Sequence, residues 1–386
     1  MFSSRKLEEV HGDTCRLGYL KVLSCLGDDF QPYSMEYFSY RLHSLTKDYS
    51  NYWKFPAGLS DAGLITDKQG LTISRNYVNL AYDFGVLNTK NQTLGSFGRI
   101  FSKTETANNT LKYIKDHSSR SENILVLSDL ERVLFLRQLL EVDGLAVFHI
   151  FKWLSELAEG GQDTVSRGVA MNHFMEELYP KMMETLYSSS TDYSEKTKRK
   201  KEAERAKSFR MERMNLEREG KWGMSDLYAK YRHMAPPRFE WLIDLGVLEK
   251  RGRGTYRISP FARNVYDIIS KSTVDSFGDE AFYQLGKVYL NITNEASSDD
   301  VKNLLVDCYL KFEKAGHIVV DKILFENFVA FEALELQRKL VRITFIAKII
   351  ESIRQLDPRL VQYHVDISGK WRFVKISKDV SKIVSS

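Results

Sequence analysis

The chain has 386 residues, of which 43% are hydrophobic and 28% are charged, and its formal net charge is +5. This composition excludes wholesale disorder, and the length is sufficient for two or three domains with separate cores. No run of eighteen apolar residues occurs, and the start, MFSSRKLEEVHGD, carries charges where a signal peptide needs apolar residues, so we expect a cytoplasmic protein with no membrane segment.

The first predicted domain, residues 1–118, contains two amphipathic helices and the first copy of a repeated phrase. The stretches CRLGYLKVLSCLGDDF and MEYFSYRLHSLTKDY have helical spacing of apolar residues. The phrase YDFGVLN at 82–88 then nearly matches IDLGVLE at 243–249. When 74–99 is aligned with 235–263, apolar positions three residues apart coincide in the two copies, which predicts one buried stripe on each helix. The paired positions are Val78 with Phe239, Ala81 with Leu242 and Phe84 with Leu245.

Each copy of the phrase predicts a helix that ends at glycine and continues into a β-hairpin. Gly85 and Gly246 stand where the helix would end, and glycine adopts the left-handed conformation without steric cost. Val-Leu then begins a strand in both copies. A polar turn, NTKNQT or EKRGRG, leads to a return strand, after which GSFGR or SPFAR begins another helix. The hairpin of the first copy is shorter by three residues.

Residues 119–194 predict a second, helical domain. Ser128 followed three residues later by Glu131 forms a capping-box pattern, which marks a helix start. Apolar residues then recur at helical spacing in LSDLERVLFLRQLLEVDG. We expect several helices packed on one another.

Residues 195–221 carry the whole excess of positive charge. Eleven Lys or Arg stand against six Glu, a net +5, so the remainder of the chain balances to zero. Attraction to phosphates must therefore come from local patches. A solvated helix or linker, with Glu195 and Arg199 as an i,i+4 pair, is one interpretation. The alternatives are a nuclear address or RNA arm, and a tether to the DNA backbone through Lys198, Arg199, Lys200 and Lys201.

The second copy defines a domain at 222–275, and 276–386 forms the last one. A long helical pattern at 322–357 ends before Pro358, and VQYHVDISGKWRFVKIS predicts a hairpin with Gly369 at its turn. A third, degenerate copy of the helix and hairpin is an open alternative here. Three cysteines without a CxxC pattern argue against a disulfide framework and against a cysteine-based zinc site.

The order helix, glycine, strand, turn, strand, helix resembles the winged helix-turn-helix superfamily. The expected fold class is therefore mainly α with small β-wings, in which tandem winged-helix units are joined by helical segments. The resemblance implies a groove-facing helix and a wing against the DNA backbone. It implies base contacts by Arg75, Asn76, Asn79 and Arg238, and phosphate contacts by Lys250, Arg251, Arg253 and Arg257. In the second copy, Glu240 and Asp244 would repel phosphates and Trp241 is large for a groove, which weakens base recognition there.

No pattern typical of a kinase, P-loop, dinucleotide fold, zincin or serine hydrolase occurs. The nearest carboxylate set is Asp321 with Glu335 and Gln337, and His173 lies near Glu176 and Glu177; both sets are more typical of helix surfaces. We expect no enzyme activity, no cofactor and no metal.

The sequence thus predicts a non-catalytic, prokaryotic, nucleoid-associated protein that binds double-stranded DNA, as a regulator or as a subunit of a larger complex. One alternative is a kleisin-like or scaffold subunit that uses its winged helices for protein contacts. Such a subunit would form a homodimer or bind a partner protein through the 322–357 helix. Another is an accessory subunit of a restriction or anti-phage defence system.

Overall fold

The computed structural model describes residues 7, 10–49, 63–65, 70–115, 123–252, 254–271 and 274–380. The fold is mainly helical with two small antiparallel sheets of three strands, which confirms this part of the predicted fold class. The buried hydrophobic residues form one cluster that extends from Leu7 to Val380.

The N-terminal unit comprises residues 18–115. Its helices are α1 (Gly18–Leu26), α2 (Met35–Tyr49), α3 (Gly70–Asp83), α4 (Ser96–Phe101) and α5 (Glu105–Lys115). After α3 the chain turns at Gly85, whose φ is +80°, as predicted. The hairpin that follows is reduced to one antiparallel bridge between Leu87 and Leu94. Asp28 lies on its other side, because the backbone N–H of Leu94 donates to the Asp28 carbonyl at 2.8 Å.

The central unit comprises residues 129–271. It contains α6 (Asp129–Glu159), β1 (Thr164–Ser166), α7 (Arg167–His173), a π-helix (Phe174–Leu178), α8 (Tyr179–Ser189), α9 (Tyr193–Arg218), a 3₁₀ turn (Trp222–Met224), α10 (Asp226–Asp244), β2 (Leu248–Arg251), β3 (Thr255–Ile258) and α11 (Pro260–Lys271). Ser128 and Glu131 form the predicted capping box at the start of α6. Gly246 follows α10 with φ +72°, and β2 pairs with β3 as predicted.

The sheet of the central unit crosses two predicted domain boundaries. Its strand order is β1-β3-β2, so residues 164–166 pair with 255–257. The charged segment between them is not a linker, because α9 packs antiparallel on α8 and buries Ala203, Ala206 and Phe209. The boundaries proposed at 194/195 and 221/222 therefore fall within one packed unit.

The C-terminal unit comprises residues 298–376 and is preceded by α12 (Val274–Leu290), which packs on α6. It contains α13 (Ser298–Lys314), β4 (Val320–Asp321), α14 (Lys322–Glu332), a π-helix (Ala333–Gln337), α15 (Ile343–Leu356), β5 (Val361–Val365) and β6 (Trp371–Ile376). The predicted terminal hairpin is present as β5 and β6, with Gly369 at φ +79°. The sheet has the order β4-β6-β5.

The prediction of one long helix over 322–357 is wrong. The helix ends at Arg338, which adopts the left-handed conformation with φ +53°. The next residues extend beside another segment, since the N–H of Leu340 donates to the Asn294 carbonyl and the N–H of Ala296 donates to the Leu340 carbonyl, both at 2.8 Å. The apolar residues of this pattern thus belong to two helices, α14 and α15.

All three units share one order of elements. Each unit begins with a helix, which is followed by a short segment. Two more helices come next, and a hairpin follows them and forms backbone hydrogen bonds with the short segment. In both sheets the strand that precedes the second helix pairs with the last strand of the hairpin. The central unit differs by the insertion of α8 and α9 before its hairpin-adjacent helix. The hairpin-adjacent helices are α3, α10 and α15.

Candidate nucleic-acid interface

The helix α3 exposes a polar stripe. The sequence predicts three exposed residues on this helix, and two of them are exposed in the structure. Arg75 and Asn79 are exposed and lie one turn apart, and Thr72 extends the stripe. The opposite side is buried in the core, including Tyr77 and Val78. Asn76 is half-buried, and its Nδ2 atom is enclosed without a hydrogen-bond partner among the described residues. Arg75 and Asn79 are therefore available to a ligand, whereas Asn76 is only partly so.

The helix α10 is enclosed by protein along its C-terminal half, so the prediction that Arg238 contacts bases is wrong. Arg238 is 1% exposed, and its Nε donates to the Asp143 carboxylate at 2.6 Å. Its other nitrogens donate to the carbonyls of Met234 at 2.6 Å and Leu7 at 2.9 Å. A guanidinium saturated in this way cannot reach a DNA groove.

The acidic residues of α10 are also inside the protein. Arg16 donates to Glu240 at 2.5 Å and is also paired with Asp244, and all three side chains are almost completely buried. Trp241 donates from its indole nitrogen to the Thr14 carbonyl at 2.8 Å. The expectation that these residues would face phosphate or a groove is therefore wrong, because the segment before α1 covers this face. Burial raises the pKa of Asp244 to about 6, against the opposing effect of Arg16.

The hairpin of the central unit keeps its cations at the surface. Arg251 is exposed, and Lys250 and Arg257 are half-exposed, while Arg253 lies outside the described residues. Two carboxylates offset them in part: Glu249 lies 3.5 Å from Arg251 and 3.7 Å from Arg257, and Asp163 lies 3.9 Å from Arg257. This hairpin offers exposed positive charge beside a helix that is covered.

The basic helix α9 presents cations on its outer side. Lys198, Lys200 and Lys201 are exposed, as expected for a solvated helix. Arg199 is half-buried, pairs with Glu195 as predicted, and donates to the Leu186 carbonyl of α8 at 3.2 Å. Arg199 therefore holds α9 against α8 rather than facing outward.

The helix α15 also exposes a polar face, and no residue on it was among the predicted site residues. Its buried side is formed by isoleucines at helical spacing, Ile346, Ile349, Ile350 and Ile353. The exposed side presents Thr344, Phe345, Lys348, Ser352, Gln355 and Leu356, and Arg359 follows the helix. The sequence did not predict this face, because 322–357 was expected to form one continuous helix. The break after Arg338 has no Gly or Pro nearby that would indicate it.

The hairpin beside α15 adds cations and an exposed aromatic ring. Trp371 is 68% exposed, and Lys370, Arg372 and Lys375 are exposed around it. Asp321 lies 2.9 Å from Arg372 and offsets part of that charge. From Ile343 to Ile376, six Lys or Arg stand against three Asp or Glu, a local net charge of +3.

The side chains considered as catalytic candidates have structural partners. Asp321 caps the start of α14, and Glu335 accepts hydrogen bonds from the backbone N–H groups of Glu105 and Thr106 at 2.9 Å. His173 stacks on Trp153 at 4.3 Å, and Glu176 pairs with Arg213 at 2.7 Å. Within the described ranges, no three His, Cys, Asp or Glu residues are grouped so that they could hold a metal ion.

Comparisons of the chain with protein-family models, with curated proteins and with solved structures find no match. Among the helices of the described residues, none has both the length and the apolar character needed to cross a bilayer.

Proposed function

We propose that the chain binds double-stranded DNA without catalysing a reaction, through units of winged-helix type in which α15 and α3 face the DNA. The observation that carries this proposal is the exposed polar stripe of α15 beside a cationic hairpin. The shared order of elements in the three units supports the winged-helix assignment, because the same helix precedes the hairpin each time.

The chemistry of the α15 face suits a major groove. An α-helix with its side chains is about 10–12 Å wide and the groove is about 12 Å wide. Lys348 and Arg359 supply charge for phosphates or guanine edges, while Ser352 and Gln355 supply hydrogen bonds for bases or phosphates. Lys370 and Lys375 on the hairpin extend the positive field beyond the helix. The N-terminal unit offers a second, smaller face through Arg75 and Asn79.

The central unit has a different role in this proposal. Its helix α10 is buried against the N-terminal segment by the Arg16 network, so it joins the units instead of facing DNA. Its hairpin remains accessible and adds phosphate contacts. DNA binding by the whole chain thus depends mainly on the two outer units.

A salt titration of duplex binding tests the proposal. We would measure fluorescence anisotropy of a labelled duplex of about 25 base pairs between roughly 50 and 300 mM salt. The double variant Lys348→Gln/Arg359→Gln removes two exposed cations of the α15 face. Each lost phosphate contact lowers the slope of log K against log salt by about 1, so we expect a slope shallower by about 2.

The matched control removes two exposed cations elsewhere. Lys112 on α5 and Arg41 on α2 are exposed, and Lys112→Gln/Arg41→Gln changes the net charge equally. We expect its salt slope to match the wild type. Absence of salt-dependent affinity in the wild type, or an equal loss in the control, contradicts the proposal.

A scaffold function is the second candidate, and two observations favour it. The helix α10 already makes protein contacts in place of ligand contacts, and Phe345 and Leu356 leave apolar surface on the α15 face. In this case α15 binds another protein or a second copy of the chain. Light-scattering mass with and without Leu356→Glu distinguishes the two: a dimer that the variant dissociates supports the scaffold, and a monomer in both cases contradicts self-association.

A further inference from the structure

A cavity of about 440 Å³ lies at the junction of the N-terminal segment, the start of α7 and the first half of α10. Asp13, Arg167, Tyr228, Tyr231 and Arg232 are among the residues that line it. This volume is within the range of small-molecule sites, which is about 300–1,000 Å³. The cavity is separate from the exposed faces of α3 and α15.

Two arginines give the cavity positive character. Arg167 is 44% exposed, and its Nε lies 3.9 Å from Glu240, a carboxylate that already accepts from Arg16 at 2.5 Å and from the Tyr256 hydroxyl at 3.0 Å. Arg232 is exposed and makes no ion pair with any described residue. The one acidic side chain of the lining, Asp13, lies 3.3 Å from His11. Two cations against one partly engaged anion favour an anionic ligand.

Two tyrosines line the same cavity. Tyr228 and Tyr231 are half-buried, their rings are inclined by 15° with centroids 6.1 Å apart, and Trp222 supports both from the edge at 5.3 and 5.7 Å. In the described part of the chain, neither hydroxyl has a hydrogen-bond partner. These groups offer an aromatic surface and two hydroxyls to a ligand.

From this arrangement we propose that the cavity binds a nucleoside phosphate, whose phosphate pairs with Arg167 and Arg232 and whose base packs against Tyr228 and Tyr231. A purely apolar ligand would offer no partner to either guanidinium group. Inorganic phosphate alone would fill a small part of the volume and leave the rings without a contact. A free mononucleotide and the 5′-phosphorylated end of a strand share this chemistry.

Titration calorimetry with AMP tests the proposal on the full chain, with adenosine and inorganic phosphate as separate probes. Intrinsic tryptophan fluorescence provides a second readout, because Trp222 touches both tyrosines. The chain has five tryptophans, so the signal of Trp222 is the part of the change that is lost in Trp222→Phe. We expect AMP to bind at least about tenfold more tightly than either probe, and Arg232→Ala to weaken AMP binding by about tenfold or more. Arg41→Ala, which removes an exposed arginine of the N-terminal unit, should leave the affinity unchanged.

Further experiments distinguish a free mononucleotide from a 5′-phosphorylated strand end as the ligand. If AMP fails to bind but a short 5′-phosphorylated single strand binds, and its 5′-hydroxyl counterpart does not, the site takes a strand end and the proposal holds. The proposal is overturned if neither AMP nor the 5′-phosphorylated strand binds, or if AMP and adenosine bind equally. It is also overturned if both Arg232→Ala and Tyr228→Leu leave the affinity for AMP unchanged. The Lys348→Gln/Arg359→Gln variant should still bind AMP, so loss of duplex binding and failure of this site are distinguishable.

Discussion

Arg16 and Glu240 form an ion pair of 2.5 Å although 224 residues separate them in the sequence. Both side chains are buried, and Asp244 completes the cluster by accepting from Arg16 and, at 2.7 Å, from the N–H of Leu17. This contact fixes the segment before α1 across α10. The helix α10 is therefore covered by the segment that leads into the N-terminal unit, whereas α3 of that unit is exposed to solvent on one side.

We expect Arg16→Met to lower the free energy of unfolding by about 3–5 kcal/mol. The substitution leaves Glu240 and Asp244 buried without their cation, and breaking one partner of a buried pair has this order of cost. Denaturant unfolding monitored by circular dichroism measures it. Adding Glu240→Gln and Asp244→Asn should recover part of the loss, since the remaining groups are then neutral. Arg41→Met, an exposed control, should change the value by less than about 0.5 kcal/mol; an equal effect of both variants would sink the interpretation.

We expect Gly246→Ala to destabilise the protein by about 1–2 kcal/mol. Gly246 has φ +72°, a conformation that costs an L-residue about this much. Gly223→Ala is a suitable control because its added Cβ meets no atom within 4 Å and its φ is not left-handed. Thermal unfolding of both variants provides the measurement. Equal melting temperatures would show that the repeated glycine is not required for the turn.

We expect Glu326 to make the protein less stable as pH rises. Burial raises the pKa of its carboxyl to about 7, while Lys322 at 3.7 Å opposes the shift. Because the folded-state pKa exceeds that of the unfolded chain, the folded state binds the extra proton between roughly pH 4.5 and 7. The stabilisation is complete below this window and is lost as pH rises through it, by up to about 1.4 kcal/mol per unit.

The variant Glu326→Gln isolates this contribution. Its unfolding free energy should decline less than that of the wild type between about pH 5 and 7. At pH 8 the variant should be the more stable of the two. Urea titrations at several pH values measure both curves, and parallel curves would contradict the assignment to Glu326.

We expect Asn79→Ala to reduce sequence preference while leaving nonspecific affinity nearly unchanged. Asn79 is uncharged and exposed on α3, and a bidentate base contact contributes about 1–3 kcal/mol of discrimination. Selection from a randomised duplex pool, followed by sequencing, compares the preferences of wild type and variant. Arg238→Gln serves as the contrast, because its buried pair with Asp143 predicts a loss of stability without a change in the preferred sequence. Identical preferences in the wild type and Asn79→Ala would exclude Asn79 from base contacts.

Local patterns determined much of the secondary structure of this protein. The glycine repeat identified the turns at Gly85 and Gly246, Ser128 and Glu131 identified the start of α6, and the terminal hairpin appears where alternation placed it. These features depend on residues within a few positions of one another. The sequence therefore contains the physical cause of each one in a short window.

Tertiary contacts decided which of these elements is accessible. Arg238 and Trp241 have partners in residues 7–14, more than 200 positions away, and no local pattern indicates that α10 is covered. The break after Arg338 likewise depends on backbone hydrogen bonds to Asn294 and Ala296, which free α15 to form a separate exposed face. Burial results from long-range packing, so the sequence alone could predict the repeated helix but not which copy would face solvent.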